Sequence, residues 1–143
     1  MPEVINNQRK IKIKIEGFQM FVERAIENIP EAKEKSATIA FVSDRKMREL
    51  NKNFRGKNST TDVLSFPFEA DEFETDEDIL GDIIISVEQA EKQARENDLD
   101  IDTEIKQLIL HGVLHLCGYD HEIDNGEMNE LELKLRDKLQ INF

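Results

Sequence analysis

The stretch from Ile105 to His121, I-K-Q-L-I-L-H-G-V-L-H-L-C-G-Y-D-H, constrains this chain more than any other. Ile105, Leu108, Ile109, Leu110, Val113, Leu114 and Leu116 leave a helix apolar on most of its circumference, and such a helix is buried in the middle of a domain. The same stretch holds every histidine of the protein, His111, His115 and His121, within eleven positions. On a helix His111 and His115 stand at i and i+4, so both imidazoles leave one face a turn apart. Gly118 can take positive φ and end the helix, which lets the chain turn and bring His121 back toward the other two. Three neutral imidazoles around one point, with a fourth position open, make a catalytic zinc site. The spacing therefore predicts one zinc per chain.

The pattern H-x-x-x-H-x-x-G-x-x-H is the ligand spacing of the metzincin proteases, with one difference. Their glutamate after the first histidine is the general base, and here that position is Gly112. The ligand geometry is kept while the peptidase chemistry loses its base. Cys117 lies about 200° around the helix from His115, at ~100° per residue, and reads as a small buried apolar residue rather than a ligand.

The rest of the composition sets the frame. A chain of 143 residues suits one domain, spanning 1–143. One cysteine excludes an internal disulfide framework and suits a reducing compartment. The first ten residues, M-P-E-V-I-N-N-Q-R-K, lack the apolar core of a signal peptide, and no apolar run reaches the ~20 residues of a membrane span. The expectation is a cytoplasmic protein with no membrane partner. A net charge of −12 argues against broad, non-specific nucleic-acid binding by the whole surface.

Periodicity fills in the remaining elements. Val4 to Asn7 reads as a short strand, with Ile11, Ile13 and Ile15 alternating with lysines either as its continuation or as the start of a helix. Phe18, Phe21, Val22, Ala25, Ile26 and Ile29 recur at helical spacing up to Pro30. Ser36 to Ser43 is a β-branched strand, and Asp44 is the expected N-cap of a helix over Arg45 to Asn53. Val63 to Phe66 is a short strand ended by Pro67, and Glu69 to Asp78 an acidic, solvated loop. Leu80 to Ser86 is a buried strand. Ser86 caps a helix over Val87 to Asn97, and Asp100 or Asp102 caps the central helix. The last helix, Met128 to Leu139, carries Leu131, Leu135 and Leu139 on one stripe. Strands alternating with helices predict a mixed α+β fold: one sheet of about four strands packed with helices, the histidine motif on the buried central helix.

A second constellation lies at residues 45–57, where Arg45, Lys46, Arg48, Lys52, Arg55 and Lys57 face only Glu49 in an otherwise acidic chain. Arg45, Lys46 and Arg48 read as a solvated helix face. Arg55-Gly56-Lys57 reads as a turn just before a strand, where backbone can hold a guanidinium for bidentate contact with phosphate. From the residues alone, the two constellations give a metal-dependent hydrolase with a phosphate-compatible cleft.

H-G-V-L-H-L-C-G-Y-D-H, F-R-G-K-x-x-x-T-D-V-L-S-F-P and G-D-I-I-I-S, in this order, resemble the YbeY family of bacterial rRNA maturation endoribonucleases, and the similarity spans nearly the whole chain. The resemblance implies a zinc-dependent, single-strand-specific endoribonuclease acting in ribosomal RNA processing and ribosome quality control. Its substrate would be RNA and not DNA, with ribosomal proteins as further partners. Carried over by position, His111, His115 and His121 match the family's metal ligands and Arg55 its functionally important arginine, the one catalytic assignment made here. Asp62 and Ser65 match the T-D-V-L-S motif, where a structural role is as fitting. Thr60 departs from the family, which commonly has proline there. Losing a proline predicts a looser Arg55 loop.

Two rival readings stand beside this one. The first is a metzincin-type peptidase. The second is a non-catalytic ribosome-assembly factor with structural zinc, against which stands the absence of a fourth protein ligand in the motif. Within the ribonuclease reading the nucleophile is open between a metal-activated water and the RNA's own 2′-hydroxyl. An open tri-histidine site favours water. Asp120 has no evident role beyond orienting its neighbour His121.

Overall fold

The computed structural model describes residues 2–68, 79–119 and 127–139, with side chains of the last segment from residue 130 onward. The expected acidic loop at 69–78 lies outside these residues. In chain order the elements are β1 (Glu3–Asn6), α1 (Ile15–Glu27), β2 (Ser36–Val42), α2 (Asp44–Arg55), β3 (Val63–Pro67), β4 (Ile79–Ser86), α3 (Val87–Glu96), α4 (Ile101–Leu116) and α5 (Glu127–Lys138). The four strands form one sheet in the order β1-β2-β4-β3, a mixed α+β architecture as the alternation of strands and helices predicts. β1, β2 and β4 run parallel, and β3 pairs antiparallel along the outer side of β4, Leu64 opposite Ile84 and Ser65 opposite Ile83.

Side chains alternate across a strand, and here that alternation divides the apolar residues between two faces. Ile39, Phe41, Ile83 and Ile85 join Phe18, Val22 and Ile26 of α1 and Ile105, Ile109, Val113 and Leu114 of α4 in the main core. Leu135 and Leu139 of the last helical segment close it. On the opposite face Val42 and Leu64, flanked by Ile84 and Phe66, pack against Met47 and Leu50 of α2. Thus α4 and α2 lie on opposite faces of the sheet, and β3 is the edge strand between them.

Three local expectations need correction. Ser43, not Asp44, caps α2: its hydroxyl accepts from the Lys46 backbone N–H at 3.2 Å. Asp44 is the first helical residue, and its carboxylate accepts from Thr60, from Ser86 Oγ at 3.1 Å and from Gln89 Nε2 at 3.2 Å. Serine and aspartate are near-equal caps, and distant partners decided between them. Second, α2 runs two residues past the expected end, so Arg55 is its last helical residue and not part of a turn. Gly56, at φ 69°, is what stops it. Third, residues 7–14 extend neither β1 nor α1; Ile11 and Ile13 simply pack against the core. Ser86 and Asp100 cap α3 and α4 as expected, accepting from Gln89 N and Thr103 N. No helix among the described residues is long and apolar enough to cross a membrane.

Candidate active site

Helix α4 packs against β4 through Gly112. A Cβ there would stand 2.9–3.1 Å from Cδ1, Cγ2 and Cγ1 of Ile83. The position that carries the base in zincins therefore faces β4, and a glutamate has no room in it. His111 and His115, on the neighbouring face, remain partly exposed. Their Nε2 atoms face each other at 2.8 Å, with ring planes 75° apart.

The end of α4 follows a Schellman pattern. Gly118, at φ 94°, donates to the His115 carbonyl at 3.0 Å, and Tyr119 N–H to the Leu114 carbonyl at 3.1 Å. The Tyr119 hydroxyl then donates to Glu31 Oε1 at 2.5 Å, tying the outgoing chain to the segment after α1. That bond to the Glu31 carboxylate, above all, pushes the phenol up to about 12. His121 and Asp120 lie outside the described residues. Cys117 is half-buried against the core rather than fully buried. Burial first, then the Glu31 carboxylate, pushes its thiol up to about 11, so the thiolate a metal would need is disfavoured.

His111 and His115 open onto a cavity of about 500 Å³ whose other walls are Val63 to Pro67 of β3 and, across the strand, Arg55. The sheet order explains how residues from opposite faces meet: only at an edge strand can the C-terminal end of α2 reach the space in front of α4. Arg55 is exposed there. Ser65 lines the same cavity. Asp62 does not; its Oδ1 accepts from Val63 N–H at 2.8 Å and its Oδ2 from Gln93 Nε2 at 3.2 Å, pinning the start of β3 to α3. Thr60 donates to Asp44, so the loop leading from Arg55 to β3 is anchored where a lost proline predicts loosening.

The sequence reading missed a polar group behind the histidines. A smaller cavity of about 200 Å³ is lined by Asp62, Gln107, Leu108, His111, Glu132 and Arg136. Glu132 of α5 is buried, with Oε1 3.4 Å from His111 Nδ1 and 3.6 Å from Arg136 Nη2. If His111 Nδ1–H donates to this carboxylate, its Nε2 presents a lone pair toward His115. This is how carboxylates orient metal-binding imidazoles. Glu104, also buried, sits one element away; burial first and then the Asp62 carboxylate raise its carboxyl above the ordinary value, with Arg136 opposing. The signal for both acids was legible in principle, as each interrupts an apolar helix stripe.

Among the described residues no three His, Cys, Asp or Glu side chains form a metal-sized group. The pair of imidazole nitrogens is nonetheless suited to a borderline-soft cation. Tetrahedral ligands at ~2.0–2.1 Å from zinc are about 3.3–3.4 Å apart, so a shared ion needs the two rings to part by only about half an ångström.

The family model described as endoribonuclease YbeY matches residues 3–140. The chain belongs to the endoribonuclease YbeY family. It is 36% identical over 154 aligned positions to the endoribonuclease YbeY of Thermodesulfovibrio yellowstonii, covering 99% of this chain and 96% of that one. It is 46% identical over 105 positions to that of Aquifex aeolicus, covering 71% and 69%. The solution structure of a Thermotoga maritima protein superposes with a TM-score of 0.69 at 30% identity, covering 97% of this chain and 89% of the other. The YbeY match includes every element that forms the cavity, from α2 through α5.

Proposed function

We propose that this chain is a zinc-dependent endoribonuclease that cuts single-stranded RNA, with ribosomal RNA as substrate during ribosome maturation and quality control. The observation that carries the reading is the shared cavity: a guanidinium from one face of the sheet and two converging imidazoles from the other, across an edge strand. Membership of the YbeY family supplies the substrate class.

His111, His115 and His121 would hold the metal, which when bound supplies Lewis acidity toward a phosphoryl oxygen and an acidified water. Arg55 would take a phosphate oxygen through parallel N–H bonds and hold it across the cavity from the histidines. The same guanidinium would then meet the charge that grows on phosphorus-bound oxygen as the bond breaks. Glu132 would fix the ring of His111 so that Nε2, not Nδ1, faces the cavity. The peptidase reading loses further ground, because Ile83 occupies the space a zincin base would need beside Gly112.

The test uses zinc-quantified protein on single-stranded RNA, duplex RNA and casein. The reading expects cuts in the single strand alone, lost on chelation and restored by one equivalent of zinc. Casein cleavage, or intact RNA at full zinc occupancy, contradicts it. Mass spectrometry of the ends separates the two nucleophiles: the reading expects water, hence no 2′,3′-cyclic phosphate, and tolerance of a single 2′-deoxy substitution at the cut.

A further inference from the structure

Helix α2 carries a buried stripe at Met47 and Asn51, 0% and 2% exposed. Phe54 is the next residue on that stripe, three positions after Asn51, yet it is 67% exposed. An aromatic ring left in water on the side of a helix that otherwise faces the sheet calls for a reason. Its edge-to-face contact with Phe66, centroids 5.4 Å apart and planes at 62°, holds the ring from one side. Phe66 in turn lines the cavity that holds Arg55, His111 and His115. The Phe54 ring therefore stands at the rim of the candidate active site, braced and uncovered.

Its surroundings say what would cover it. Lys52, Asn53, Arg55, Lys57 and Asn58 are all exposed around it in sequence. An apolar protein segment docking on the ring would have to desolvate these cations and amides without replacing their water. A nucleotide strand brings an apolar base face and an anionic phosphate in one repeat, which suits an exposed ring next to exposed cations. Proteins that hold single strands combine these two features: a positive track for the backbone and aromatic rings for the bases.

We propose that Phe54 is a stacking platform for one unpaired base of the RNA strand whose phosphate is held by Arg55. The inference rests on the ribonuclease reading and deepens it. A base paired within a duplex has both faces covered by its neighbours, so a platform of this kind selects single strands.

The test measures binding by fluorescence anisotropy, with zinc-loaded protein and a labelled single-stranded 2′-O-methyl RNA checked by gel to stay intact through the titration. A second strand keeps every phosphate but carries abasic spacers in place of bases. Wild-type protein should prefer the base-bearing strand. Phe54→Leu should weaken that strand about thirtyfold, the middle of the range for one stacked base, and bind the abasic strand as wild type does. Phe54→Trp should restore the preference, and its indole fluorescence should fall on adding the base-bearing strand alone. Arg55→Ala should weaken both strands equally. Phe54→Leu keeping the wild-type preference overturns the platform while leaving the ribonuclease reading intact. Wild-type protein that binds neither strand overturns both.

Discussion

Gly112 shows how a single missing side chain can be read two ways. In the sequence it is a lost catalytic base; in the structure it is the contact that lets α4 approach β4. The two effects of Gly112→Ala can be weighed. Alanine favours the helix over glycine by ~0.8–1.0 kcal/mol, but overpacking a filled core costs about 1–3 kcal/mol. Ile83 Cδ1 can swing aside, whereas Cγ1 and Cγ2 are fixed by the branched Cβ, so crowding wins. Gly112→Ala should lower the melting temperature, and an unchanged or higher value contradicts the close approach. Glu104 gives a prediction in pH. Burial, chiefly, with help from Asp62, raises its carboxyl in the folded protein. Between the unfolded and the raised folded value the folded state holds more protons, so stability falls as pH rises through that window and stays lower above it. Glu104→Gln keeps the shape and removes the charge. It should raise the urea midpoint at neutral pH and change it little at about pH 4; a lower midpoint at neutral pH shows that the ionised form is welcomed. Ile83 beside Gly112 could not be read from the sequence, because it depends on how distant elements cross; Glu132 stands out in the sequence as an acid on an apolar stripe, but its partner His111 does not.

At the scale of elements, local chemistry wrote most of the answer. The alternation in β2, the apolar girth of α4, the caps Ser86 and Asp100, and the stop at Gly118 all follow from neighbouring residues. The cap was misread where a distant partner outweighed a local preference. Asp44 gave up the cap to Ser43 and became the tie between α2, the loop before β3 and α3. That tie also replaces the stiffness a proline at position 60 would supply. Thr60→Val keeps the shape and deletes the hydrogen bond to Asp44, a change worth about 0.5–1.5 kcal/mol. Calorimetry should show that loss. Equal melting of variant and parent contradicts the anchoring role. The sheet order could not be read from the pattern, since nothing in β3 alone says that it is an edge strand pairing antiparallel to β4.

For the whole molecule, the histidine motif joins the central helix to the chain beyond Gly118. An ion that binds only the folded state stabilises it by mass action. Chelation should therefore lower the melting temperature, and His121→Ala should abolish that dependence; melting that ignores complete zinc removal rules out the metal site. The fold also separates the proposed metal site from the proposed phosphate contact. His111 and His115 lie on α4, on one face of the sheet, while Arg55 ends α2 on the other and packs nothing in the core. The two roles should separate on mutation, and this tests the account most directly. Cleavage of a single-stranded RNA is measured for Arg55→Ala and wild type at equal zinc content and equal melting temperature. The account predicts that zinc and melting are unchanged and that the cleavage rate falls by about a hundredfold or more, the scale of removing one charge-stabilising donor. Arg55→Ala cleaving at the wild-type rate would contradict it.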